Sequence, residues 1–108
     1  MRLEETLISV WRQAMDEDAA AVELRGKSYA VRRTAKRHLR QVDFEFEGQA
    51  IRGLEQNPET GSRWAELARA GKKVMQFLVP VEGAPRGGRY IGVVVDGKLT
   101  LYGKSRRK

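Results

Sequence analysis

The first apolar positions, Leu3, Leu7, Val10, Trp11, Ala14 and Met15, recur at intervals of three and four. That spacing places them on one stripe of an amphipathic helix. Glu4 and Glu5 fall in its first turn, where the helix dipole favours carboxylates. Asp16, Glu17 and Asp18 would oppose the dipole at the other end, so the helix is expected to stop near Met15.

The period then changes to two. Val22 and Leu24 alternate with polar neighbours, Arg25-Gly26-Lys27 supplies a turn, and Tyr29 and Val31 resume the alternation, which predicts a hairpin. Residues 32–41 break the pattern and read as an exposed loop or a strand extension. Val42, Phe44 and Phe46 alternate with Asp43, Glu45 and Glu47, the clearest strand pattern in the chain. Gly48-Gln49 makes a turn and Ala50–Glu55 returns as a weaker strand.

After a turn-rich connector, Gln56–Gly61, Ser62 is placed to cap a short helix from Arg63 to Ala70. A capping box is absent, because the third helical position is Ala65 and not Glu or Gln. Trp64, Leu67 and Ala68 share one face, and Gly71 is placed to end the helix. Residues 73–79 carry apolar side chains on both faces, as a central strand does: Val74 and Leu78 one way, Met75, Phe77 and Val79 the other. A loop, Pro80–Gly88, leads to a last hairpin, Arg89–Val95 and Lys98–Gly103. Its Asp96-Gly97 connection suits a type I′ turn. That register sets Val94 opposite Leu99, Gly92 opposite Leu101, Val93 opposite Thr100 and Ile91 opposite Tyr102.

The order is helix, two hairpins, helix, three strands. Only one inter-strand connection contains a helix, so long parallel crossovers are excluded. The expected fold is α+β: a mainly antiparallel sheet or partly closed barrel of about seven short strands with two helices. Phe44, Phe46, Trp64, Leu67, Phe77, Val94 and Leu101 are the expected core, with Trp11 and Trp64 packing inward from their helices. Residues 1–103 fit a single globular domain, and 104–108 form a basic tail expected to be disordered.

Composition narrows the chemistry. The 108 residues contain no cysteine, which excludes a disulfide framework, a thiolate zinc site and a cysteine nucleophile. Apolar runs are far shorter than a membrane span of about 20 residues. Met1–Leu7 carries acids where a secretory signal carries lysines, so a soluble, cytoplasmic protein is expected. His38 is the only histidine, so a metal site is not expected. Ser9, Ser28, Ser62 and Ser105 lie in no nucleophile elbow. Gly83–Gly88 fits neither phosphate-loop spacing, and no cofactor is implied. Nothing specifically suggests an enzyme. The row Asp43, Glu45, Glu47, stepped about 6.6 Å apart, could bind a cation or serve acid–base chemistry. The favoured reading is a solvent-facing row paired with arginines of a neighbouring strand, since alternation alone accounts for the pattern.

The net charge is +7, from 21 basic and 14 acidic residues. The excess is segmented: residues 21–41 hold seven Lys or Arg and one Glu. Arg32, Arg33, Lys36, Arg37 and Arg40 crowd into nine positions, enough to neutralise several phosphates and release counterions. Tyr29 and His38 stand close by as candidates to stack on a base. The same run also reads as a solvated surface loop. Arg86-Gly87-Gly88-Arg89 and the tail Lys104–Lys108 are weaker basic elements of the same kind. Two function classes follow. One is a small nucleic-acid-binding module acting through phosphate contacts. The other is an accessory domain binding an acidic protein partner.

Overall fold

The computed structural model describes residues 1–84 and 87–102. Arg86 of the Arg86–Arg89 loop and the tail Lys104–Lys108 lie outside the described residues.

Helix α1 spans Leu3–Trp11 and runs on as a wider π turn, Arg12–Asp16. Glu5 accepts from the Arg2 N–H at 3.1 Å and so satisfies one orphan donor at the helix start. The three acids at the far end are each offset by a cation: Asp16 by Lys73 at 3.3 Å, Glu17 by Arg12 and Asp18 by Arg40, both at 2.8 Å.

Seven strands follow: β1 Ala21–Leu24, β2 Lys27–Arg33, β3 Arg40–Phe46, β4 Gln49–Glu55, β5 Val74–Pro80, β6 Gly88–Val95 and β7 Lys98–Leu101. They form one antiparallel sheet in sequence order β1 to β7. Of the two forms expected, this is the open sheet and not the barrel; β1 and β7 remain edges. Arg25-Gly26, Glu47-Gly48 and Asp96-Gly97 close the hairpins with positive φ at both residues, the backbone of a type I′ turn. Arg25 and Glu47 therefore take a conformation that Asn or Asp adopts more readily, and the second turn is Glu47-Gly48, one residue earlier than the expected Gly48-Gln49.

The sheet has two differently covered faces. On the first, Val22, Leu24, Val42, Phe44, Phe46, Ile51, Met75, Phe77 and Val94 pack against Leu7, Val10, Trp11, Ala14 and Met15 of α1 and its π turn. Phe44 meets Phe77 edge-to-face at 6.2 Å. Gly53 lies directly under the Phe77 ring; a Cβ there would stand 2.9 Å from Phe77 Cε1. The Trp11 indole N–H donates to the Lys73 carbonyl at 2.9 Å, tying α1 to the start of β5.

On the second face Val74, Leu78 and Val93 are buried with Ala65 of α2, Arg63–Arg69. The Ser62 hydroxyl accepts from the Ala65 N–H at 3.1 Å, and Gly71 takes a φ of +96° past the helix end. Burial on both faces of β5 follows directly: α1 covers one and α2 the other. The second face of β1–β4 carries no buried large apolar side chain; its largest apolar residue, Leu54, is only half-buried. Asp43 pairs there with Arg52 of the neighbouring strand at 2.7 Å, which accounts for the first member of the acidic row. No helix among the described residues is long and apolar enough to cross a membrane.

Three core assignments need correction. Trp64 and Leu67 are only half-buried, as is Leu101. Helix α2 is short and meets the sheet through Ala65, so its larger residues stand at the margin of the contact. Ile91 and Tyr102, expected on one side of the last hairpin, also diverge. The β5–β6 register shifts between Phe77 and Leu78, pairing Leu78 with Tyr90 and leaving Ile91 extra. Ile91 then packs toward the α1 core while Tyr102 turns to the second face.

Candidate functional site

The second face carries a groove of about 880 Å³, within the usual range of ligand pockets. Strand parity builds its floor: Leu54 of β4 lies opposite Gln76 of β5, and Tyr90 of β6 lies opposite Leu78. Tyr102 follows β7, with its backbone N–H bonded to the Ile91 carbonyl at 2.9 Å. Trp64 of α2 and the connector residues Gln56, Asn57, Thr60 and Ser62 form one wall. Leu39, from the β2–β3 loop, forms another.

Polar groups on the floor are linked. The Tyr102 hydroxyl donates to Gln76 Oε1 at 3.2 Å, and Gln76 Nε2 donates to Gln56 Oε1. Gln56 Nε2 in turn donates to the Asn57 carbonyl at 2.9 Å. Gln56 is one of two buried polar side chains among the described residues, and this chain of bonds satisfies it. Burial pushes the Tyr102 phenol above its ordinary pKa, with Tyr90 adding to the effect and Trp64 and Arg63 opposing it. The hydroxyl therefore stays a donor at neutral pH. Tyr90 and Tyr102 meet edge-to-face at 6.4 Å, and the Arg63 guanidinium lies 4.4 Å from the centre of the Trp64 ring.

The β2–β3 loop links this groove to the basic run. Arg37 bonds Glu59 in the connector and so draws the loop against the groove wall. Arg40 bridges Asp18 at 2.8 Å and Glu55 at 3.3 Å, and Arg33 lies 3.8 Å from Asp18. Arg33 also donates to the His38 carbonyl at 3.0 Å. The Arg40 hydrogen bond is the main reason the Asp18 carboxyl is held below the ordinary 3.8. Burial acts to lower the Arg40 pKa, but the Asp18 and Glu55 carboxylates outweigh it, so its guanidinium titrates above its ordinary value.

The seven residues singled out in the sequence thus separate into groups. Arg33, Arg37 and Arg40 are engaged with carboxylates. Arg32 and Lys36 are exposed, with no carboxylate within 4.0 Å among the described residues. His38 is exposed in the loop at a φ of +55°. Tyr29 lies on the first face, edge-to-face with Phe44 at 6.4 Å, away from the groove.

Residue-by-residue reading of the chain did not single out Trp64, Tyr90, Tyr102, Gln56 or Gln76 as a site. Alternation alone placed Val74 and Leu78 on one face of β5, and Gln76 between them shares that parity. The bulge that turns Tyr90 onto the same face has no such signal. What results is an α+β scaffold with an aromatic and amide-lined groove beside a basic loop. Comparison with protein-family models, with curated proteins and with solved structures finds no match for this chain.

Proposed function

We propose that this protein is a non-catalytic nucleic-acid-binding module whose contact surface is the basic β2–β3 loop and the groove beside it. The observation that carries the reading is the placement of Leu39. One short loop contributes a wall of the aromatic groove and also the exposed cations Arg32 and Lys36 at its base and tip. Four more arginines contact residues at or next to the groove: Arg37 bonds Glu59 of the connector, Arg69 donates to the Thr60 carbonyl, Arg63 lies over Trp64 and Arg40 bonds Glu55. Phosphate attraction supplies affinity in such a surface and needs no catalytic group. The ion pairs of Arg33, Arg37 and Arg40 limit how many phosphates the loop can neutralise, so the salt dependence should be moderate.

The test is a fluorescence titration with labelled single- and double-stranded DNA and RNA at several salt concentrations. Affinity should fall linearly on a log–log plot. Arg32→Ala with Lys36→Ala should flatten the slope by about 1.4 for single strands and about 1.8 for duplex. Stability should stay near the parent value, because exposed charges contribute little to a fold. Absence of binding to any of the four polymers at about 50 mM salt would refute the reading and favour an acidic protein partner.

A further inference from the structure

We infer that the groove bounded by Trp64, Tyr90 and Tyr102 is a subsite for one unpaired nucleobase of a single-stranded nucleic acid. The inference rests on the proposed nucleic-acid reading and specifies the form of the polymer. Three aromatic side chains line a single open groove, and all of them are half-buried. Aromatic faces bind bases without regard to sequence, because every base has a π-face. Arg63 already stacks on Trp64, and a planar guanidinium extends such a stack while adding positive charge.

The floor adds what a purely apolar groove lacks. Gln76 and Tyr102 present amide and hydroxyl groups, held by the buried Gln56, which combine donors and acceptors as base edges do. Their mutual hydrogen bonds hold these groups in place before any ligand arrives, which lowers the ordering cost of binding.

The charge around the groove selects a polyanion over a neutral peptide. Arg37 is paired with Glu59 and Arg40 with Glu55 and Asp18, while Arg63 and Arg69 have no carboxylate within 4.0 Å among the described residues and so leave the groove margin with unpaired positive charge. Arg32 and Lys36 extend the positive strip along the loop. A duplex keeps its base faces stacked internally, so it can reach the cations and leave the groove unused. A single strand can occupy both at once. The structure therefore favours single strands over duplexes, and the two contributions separate by residue.

The experiment uses the full chain with three probes: a single-stranded RNA hexanucleotide, a blunt-ended RNA duplex without unpaired bases, and inorganic polyphosphate, which carries charge and no base. Trp64→Ala should weaken hexanucleotide binding roughly 5- to 150-fold, the loss of one stacked base. It should leave duplex and polyphosphate affinities within about twofold, since phosphate contacts are untouched. Tyr90→Ser, outside α2, is the second variant and should give the same pattern if the helix variant fails to fold. The paired change Arg32→Ala and Lys36→Ala should instead weaken all three probes. Hexanucleotide affinity unchanged by both groove variants, or duplex binding as tight as single-strand binding in the parent, would overturn the base subsite while leaving the nucleic-acid reading intact. Failure of the parent to bind any probe would overturn both.

Discussion

Phe77 exposes none of its surface and packs between the Phe44 ring, 6.2 Å away, and the bare backbone of Gly53. Replacing it with Ala removes the whole ring from the centre of the α1 face. Burial of a Phe side chain contributes roughly 1.5–3 kcal/mol. The void costs about 24 cal/mol per Å³ that does not collapse, so about 60 Å³ left open adds about 1.5 kcal/mol. Gly53 offers no side chain to fall into that space, so collapse must come from Met75 and Val42, the other atoms nearest its Cβ position. The expected loss is about 3–5 kcal/mol, a large share of the roughly 5–15 kcal/mol that stabilises a small domain. With a urea m-value of about 1.5 kcal/mol/M, the unfolding midpoint should fall by about 2–3 M. Trp64→Ala should shift the midpoint far less, because its indole lines the groove and is only half-buried. Equal shifts for the two variants would make Trp64 a core residue and refute the division between core face and groove face. A Phe77→Ala midpoint within about 0.5 M of the parent would refute the placement of Phe77 itself.

Two further tests address the turns and the charge network. Gly97→Val should destabilise the fold through the backbone, since Gly97 holds a φ of +90° that a β-branched residue tolerates poorly, while the nearest Trp11 atom lies an ordinary 3.8 Å from its Cβ position; an unchanged thermal midpoint would contradict the type I′ turn. Asp18→Asn keeps a residue suited to the φ of +52° but removes the charge facing Arg40. Because the folded Asp18 carboxyl titrates below the ordinary 3.8, its stabilisation is present above that pH and disappears as pH falls through the folded value. The parent should therefore exceed the variant in urea midpoint at neutral pH, and the gap should close as pH falls through the folded Asp18 value, below its ordinary 3.8; a gap that does not narrow with acidification would assign the effect to something other than ionisation.

Much of the scaffold was legible in the chain itself. The three-and-four spacing from Leu3 to Met15 and the alternation through Val42, Phe44 and Phe46 are local, and burial of one stripe or one face leaves the polypeptide little choice. Asp96-Gly97 set the register of the last hairpin through Val94 and Leu99 because turn geometry dictates cross-strand partners. Ser62 and Gly71 marked the ends of α2 through the hydrogen bonds and backbone angle that helix ends require. The groove was not legible in this way. Its lining residues, from Leu39 to Tyr102, meet only because the β2–β3 loop, the connector, α2 and the floor strands converge on one face of the sheet, and that juxtaposition has no periodicity. Tyr90 joins them because the bulge at Ile91 reverses the parity of β6, and a one-residue shift moves every later side chain to the opposite face. The basic run shows the same division. Its five cations are plain in the sequence, but three of them find carboxylates on other elements, Asp18, Glu55 and Glu59, and only tertiary packing decides which charges remain facing solvent.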